Sequence, residues 1–136
     1  MNYSSNYSNN YSSNYLEHAN ITVENPDLTA QRLMALFDWE IRWSGAAMDK
    51  GYTVHVGTKN DYIALYTKPN LAEKCGKDNH AGHLNHIGVV VKDLESISSR
   101  AKDLGLEPFN FGQYEPGSRF YLMLEDTLEI EIVCYQ

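Results

Sequence analysis

Basic residues are scarce in this chain: 11 Lys and Arg stand against 18 Asp and Glu, a net charge of −7. A broad nucleic-acid footprint is therefore not expected. Only two cysteines occur, Cys75 and Cys134, far apart and in no C-x-x-C pair. That excludes a disulfide framework and a thiolate zinc site, and it fits a reduced, cytoplasmic setting. No apolar run approaches the length of a membrane span, so no membrane partner is expected. The N-terminal residues lack the basic and apolar segments of a secretory signal and the arginines of a transit peptide. With 136 residues, the chain is long enough to bury a core without staples.

What is present divides at residue 15. Residues 1–15 hold Tyr3, Tyr7, Tyr11 and Tyr15 four apart in a background of Asn and Ser. Such a composition favours turns over helix and predicts a disordered tail. The remainder, 16–135, is expected to be one domain built from an internal repeat. LEHANITV (16–23) aligns with LNHIGVVV (84–91), so that His18 falls on His86 at an offset of 68. YIALYT (62–67) aligns with EIEIVC (129–134) at an offset of 67. Two segments at opposite ends of a unit sharing nearly one offset point to a duplicated module.

Each module reads as strand, helix, then three strands. In 16–67, a strand over 16–23 ends before Asn25-Pro26-Asp27, a helix start. Leu33, Leu36 and Phe37 give a helix over 28–37. Strands follow near 39–44, 52–57 and 61–67. A polar linker spans 68–83. In 84–135, a strand over 84–91 precedes an Asp93 N-cap and a helix ended by Gly105. Strands follow near 108–111, 119–124 and 128–135. The expected class is α+β, with two tandem βαβββ modules forming a curved mixed sheet around a concave cavity.

Strand alternation assigns the faces of that sheet. Ala19, Ile21 and Val23 form one apolar set, and Ile87, Val89 and Val91 another, so His18 and His86 share the opposite face. Leu128, Ile130 and Ile132 pack, which leaves Glu129 and Glu131 pointing away. Two imidazoles and a carboxylate with open positions suit one divalent ion, Fe, Mn, Zn or Ni. A lone strand histidine is more often a surface residue. A histidine kept at the same place in both copies is better explained as a site on His18, His86 and Glu131.

These strings resemble the vicinal oxygen chelate superfamily, which includes glyoxalases, extradiol dioxygenases, fosfomycin-resistance thiol transferases and bleomycin-resistance proteins. The resemblance rests on the L-x-H-x-x-x-x-V strand starts and the I-E-I-V ending, and it covers 16–135. Carried over residue by residue, the family's metal ligands fall on His18, Ala64, His86 and Glu131. Ala64 departs from the pattern, because glyoxalases usually hold a glutamate there; a standard lactoylglutathione lyase is not implied. Tyr121 matches a tyrosine of the dioxygenase signature by its spacing to Glu131, but Gly112 stands where those enzymes have a histidine. Asn20 stands where the thiol transferases have threonine. The resemblance implies a divalent-metal-dependent enzyme of lyase, isomerase or dioxygenase type acting on a small oxygen-rich molecule. It also implies a homodimer with ligands shared across subunits. The alternative is a metal-free drug-binding protein of the bleomycin-resistance type.

Further candidates follow from the face assignment. His55 can serve as a general base; the competing reading is a strand histidine bonded to its neighbours. Arg119 can hold an anionic substrate group in a bidentate fork, or be a salt-bridged surface arginine. Tyr121 is a catalytic candidate, and Trp43 and Tyr66 are substrate-binding candidates, with Trp39 and Tyr62 completing an aromatic lining. Half-buried strands favour such residues in any case. Tyr114-Glu115-Pro116-Gly117 reads as a turn, or as a lid over the cavity. His80, His83 and His86 could form a metal clip, though two of them belong to the linker.

Overall fold

A computed structural model describes residues 15–72, 81–82, 84–114, 117–125 and 128–135. The tail before residue 15, His80, His83, Glu115 and Pro116 lie outside them, and with them the tail, metal-clip and lid readings. The order is β1 (His18–Thr22), α1 (Pro26–Phe37), β2 (Glu40–Ala47), a short 3-10 turn (Met48–Lys50), β3 (Gly51–Gly57) and β4 (Tyr62–Thr67). The same plan returns as β5 (Ile87–Val90), α2 (Leu94–Asp103), β6 (Phe109–Tyr114), β7 (Gly117–Glu125) and β8 (Leu128–Tyr135). The βαβββ repeat expected from the sequence is present in both halves.

Local chemistry sets the helix limits. The Asn25 side chain accepts from the Leu28 backbone N–H at 3.1 Å, and Pro26 takes the first helical position, where its missing N–H costs nothing. The first helix therefore starts two residues before the expected 28. In the second module, Asp93 accepts from the N–H groups of Glu95 and Ser96 at 3.0 and 3.2 Å. Its far end closes in a Schellman arrangement: Leu106 N–H returns to Ala101 O and Gly105 N–H to Lys102 O. Gly105 supplies the left-handed conformation, φ 77°, that this cap requires.

The strands form two four-stranded mixed sheets, β1-β4-β3-β2 and β5-β8-β7-β6. Within each, the first strand pairs parallel with the last, and the helix supplies the crossover that parallel pairing needs. The outer strands β2 and β6 each carry a register shift against their neighbour, at Ile41/Trp43 and at Phe109/Gly112. Strands β1 and β5, at the opposite edges, pair without one.

Inward residues of both modules fuse into one apolar cluster. Leu33, Leu36, Val54, Val56 and Leu65 meet Phe120, Leu122, Leu124, Ile130 and Ile132 in it, all essentially inaccessible. Two arginines cross between modules on the helical side. Arg32 Nη1 donates to Leu124 O at 2.6 Å. Arg100 Nη1 donates to Leu36 O at 3.1 Å and to Asp38 Oδ2 at 3.0 Å, which satisfies a carbonyl of the last turn of α1.

Leu33 sits in α1 where this shared core meets both sheets, with no exposure. Leu33→Ala is expected to lower unfolding stability by about 3 kcal/mol, through lost burial and the cavity left behind. The shift in urea midpoint, at unchanged slope, measures it.

Candidate functional site

The concave faces carry the polar chemistry, and strand register decides what meets what. In the first module Asn20 lies opposite Ala64, which lies opposite His55, which lies opposite Trp43. In the second, Gly88 lies opposite Glu131, which lies opposite Tyr121, which lies opposite Phe109. His18 and His86 each stand one same-face step before Asn20 and Gly88. The modules thus repeat a site row by row, with Ala64 in the place of Glu131 and Thr53 in the place of Arg119.

The second module assembles the polar half. His86 Nε2 lies 2.9 Å from Glu131 Oε2, and Arg119 Nη1 donates to Glu131 Oε1 at 2.6 Å. The Glu131 side chain is 13% exposed and that of Arg119 15%, so the pair is largely withdrawn from solvent screening. Tyr121 stands edge-on to His86, with ring centroids 5.9 Å apart. A Cβ added at Gly88 would meet nothing within 4 Å, so the space beside Glu131 is open. Glu129, expected to share the open face of Glu131, is buried at 9% exposure, with Met123 opposite it on β7.

In the first module, His18 stacks on Tyr62 at 4.8 Å, His55 stacks on Tyr62 at 4.7 Å, and Trp43 lies 5.3 Å from His55. The Arg42 guanidinium sits 4.3 Å from the centre of the Tyr62 ring. Tyr62 OH and His18 Nδ1 both donate to Glu17 Oε1, at 3.2 and 2.9 Å. These bonds, that of His18 first, hold the Glu17 carboxyl below its ordinary value. Burial, and then the Glu17 bond, raise the Tyr62 phenol above its own. Tyr66 OH donates to Met48 O at 2.9 Å.

The two histidines are oriented alike. His86 Nδ1 lies 2.7 Å from Asn85 Oδ1, and His18 Nδ1 lies 2.9 Å from Glu17 Oε1. In each case the preceding side chain accepts from Nδ1 and leaves Nε2 as the outward nitrogen, the usual way a ligating imidazole is held. Nε2 of His86 then faces a carboxylate oxygen, an arrangement that a shared cation satisfies. That separation is an ordinary ion-pair distance, and an imidazole nitrogen beside a carboxylate oxygen is also the pair of donor types that suits a divalent ion. His18 does not join it within the chain: among the described residues no group of three or more His, Cys, Asp and Glu is placed to hold an ion.

The expected residues are thus sorted into two half-sites. His86, Glu131, Arg119 and Tyr121 come together on one sheet, and His18, His55 and Trp43 on the other, with Tyr66 further along the same face. Reading the sequence did not single out Glu17, Asn85, Arg42 or Thr53. A signal existed for the first two, since each directly precedes one of the aligned histidines.

The paired βαβββ modules have the vicinal oxygen chelate fold. Solved structures of that class superpose on this chain. A glyoxylase/bleomycin resistance protein/dioxygenase domain from Frankia sp. EAN1pec matches with a TM-score of 0.77 and 16% identity, over 92% of this chain and 100% of the other. A mutant of the fosfomycin resistance protein FosX from Listeria monocytogenes, in complex with Mn(II) and 1S,2S-dihydroxypropylphosphonic acid, matches at 0.68 and 19%, over 88% and 90%. A glyoxalase family protein from Enterococcus faecalis matches at 0.70 and 12%, over 88% and 96%. No family model matches the sequence, and no curated protein matches it. No helix among the described residues is long and apolar enough to cross a membrane.

Burial holds His55 below its ordinary value of 6.5, reinforced by the nearby His18 and Arg42 and opposed by Glu17. The unfolded chain therefore takes up this proton more readily than the folded one. The stability tied to neutral His55 is present above pH 6.5 and is lost as pH falls through the folded value. His55→Gln should lose less stability than the parent chain between about pH 7 and about pH 5. Urea unfolding at both pH values checks this, and equal losses would contradict it.

Proposed function

We propose that this protein is a divalent-metal-dependent enzyme of lyase, isomerase or dioxygenase type, acting on a small oxygen-rich molecule. The observation that carries the reading is the His86 Nε2–Glu131 Oε2 approach at 2.9 Å, with Nδ1 of the same ring tied to Asn85. His86, Glu131 and His18 are the proposed ligands. Since His18 lies on the other sheet, its place in the set is filled by the partner's His18 in a homodimer, which supplies one complete site per chain. The reduced cysteine content suits a cytoplasmic setting.

A divalent ion held there would supply a Lewis acid for two vicinal oxygens of the substrate. The chain's own residues supply the rest. Asn85 and Glu17 fix the imidazole orientation. Arg119, bonded to Glu131, holds that carboxylate in place and adds positive charge beside it. Tyr121, next to His86, can pass a proton from its phenol to a substrate oxygen. His55, held neutral, can accept one through its free ring nitrogen.

The second reading, a metal-free binding protein of the bleomycin-resistance type, draws on Ala64 and on the occupied Glu131 carboxylate, which already bonds Arg119. It needs no metal and predicts indifference to either histidine.

Elemental analysis of untagged protein separates the two. The parent chain should carry about one Fe, Mn, Zn or Ni per chain, and His86→Ala and His18→Ala essentially none. Asn85→Ala should weaken metal affinity roughly ten- to a hundredfold by freeing the ring. Chains carrying His18→Ala, mixed with chains carrying Glu131→Ala, should regain one ion per mixed pair, because one of the two shared sites is then intact. Metal absent from the parent chain after reconstitution with each ion would leave the binding-protein reading. Metal retained by His18→Ala would remove the shared site.

A further inference from the structure

The concave face of the first module carries an arginine brought there by a break in the strand pairing. Between β2 and β3, Ile41 lies opposite Val56 and Trp43 opposite His55, so Arg42 is the extra residue of a bulge. In a regular strand Arg42 would stand opposite His55, and Trp43 would turn to the other face. The bulge re-aims both. Arg42 reaches the Tyr62 ring, 4.3 Å from its centre, while the Trp43 ring lies 5.3 Å from that of His55. Two consecutive side chains thus serve one face.

Gly57 clears the way across β3. It lies between Tyr62 and Glu40 in the register, and a Cβ there would fall 2.6 Å from the Tyr62 Cα. No side chain therefore separates the bulge from the ring. The guanidinium is exposed, and among the described residues it makes no hydrogen bond or ion pair. Its contact with the ring holds a planar fork of N–H donors, the shape that matches a carboxylate. Glu17, on the same face, bonds to Tyr62 OH and His18 Nδ1 instead. Arg119, on the other sheet, is bonded to Glu131. The Arg42 charge is felt along the row: after burial and His18, it helps hold His55 below its ordinary value.

We propose that Arg42 binds a carboxylate of the substrate, which makes that substrate a small oxygen-rich acid. This deepens the reading above and rests on it, because His18, a proposed metal ligand, stacks on the same Tyr62 ring that carries Arg42. Vicinal oxygens for the ion and a carboxylate for Arg42 then belong to one molecule. Trp43, half exposed beside His55, offers that molecule a flat apolar wall.

Benzoate and benzamide test the proposal, being nearly the same shape and differing in charge. Each is titrated into isotope-labelled full-length protein in the presence of a chelator, with amide and indole signals followed by NMR. Benzoate should shift Trp43, His55 and Tyr62, and bind at least about tenfold more tightly than benzamide. Added salt should weaken it. Arg42→Gln should weaken benzoate about tenfold and leave benzamide unchanged. Arg42→Lys, which keeps the charge and loses the fork, should fall between the two. The comparison of both probes on the parent chain decides the matter if the glutamine variant fails to fold. Benzoate binding no more tightly than benzamide overturns the assignment, as do an unchanged affinity in folded Arg42→Gln, shifts confined to the second module, or no binding of either probe. Because the titration is metal-free, failure of the metal site leaves its outcome untouched, and the two readings fail separately.

Discussion

Everything on the concave faces depends on the parallel pairing of each module's first strand with its last. A parallel pair needs a long crossover, and here the helix supplies it while covering the apolar side of the sheet. The pairing fixes Asn20 opposite Ala64 and Gly88 opposite Glu131. A slip of one residue would turn His86 toward the core and Ile87 toward solvent. The burial of Val89, Ile130 and Ile132 therefore specifies the register that brings an imidazole nitrogen within bonding reach of a carboxylate.

The two modules share a plan and differ in chemistry. Where the second has Glu131, Arg119 and Tyr121, the first has Ala64, Thr53 and His55, on matching rows of the same ladder. The second half joins Glu131 to Arg119 and His86, and the first stacks Tyr62 with His18 and His55, beside Glu17 and Arg42. Duplication of the fold with divergence of the lining gives two different surfaces without any change in backbone architecture.

Much of this was legible beforehand, and the reason is periodicity. The two offsets, 68 and 67, drew attention to His18, His86 and Glu131, and alternation set them apart from the apolar residues of the core. Helix ends were readable where capping chemistry is local, as at Asn25, Asp93 and Gly105. Strand alternation did not say whether the two first strands would pair with each other. Each instead pairs with the last strand of its own module, which places His18 and His86 on separate sheets. The Tyr62 stack was also out of reach, because it depends on cross-strand neighbours.

The sheet edges are not alike. The outer strands β2 and β6 are interrupted by bulges, devices that discourage further strands from adding. The regular edges belong to β1 and β5, the strands that carry or directly follow the two histidines. In the proposed homodimer these regular edges lie beside the proposed ligands His18 and His86. An ion bridging two copies would be held only while the copies stay together, so its occupancy would follow the abundance of the chain. At low expression the protein would be an empty pair of halves. Past a threshold concentration it would fill, and synthesis of the chain would itself act as the control on its chemistry.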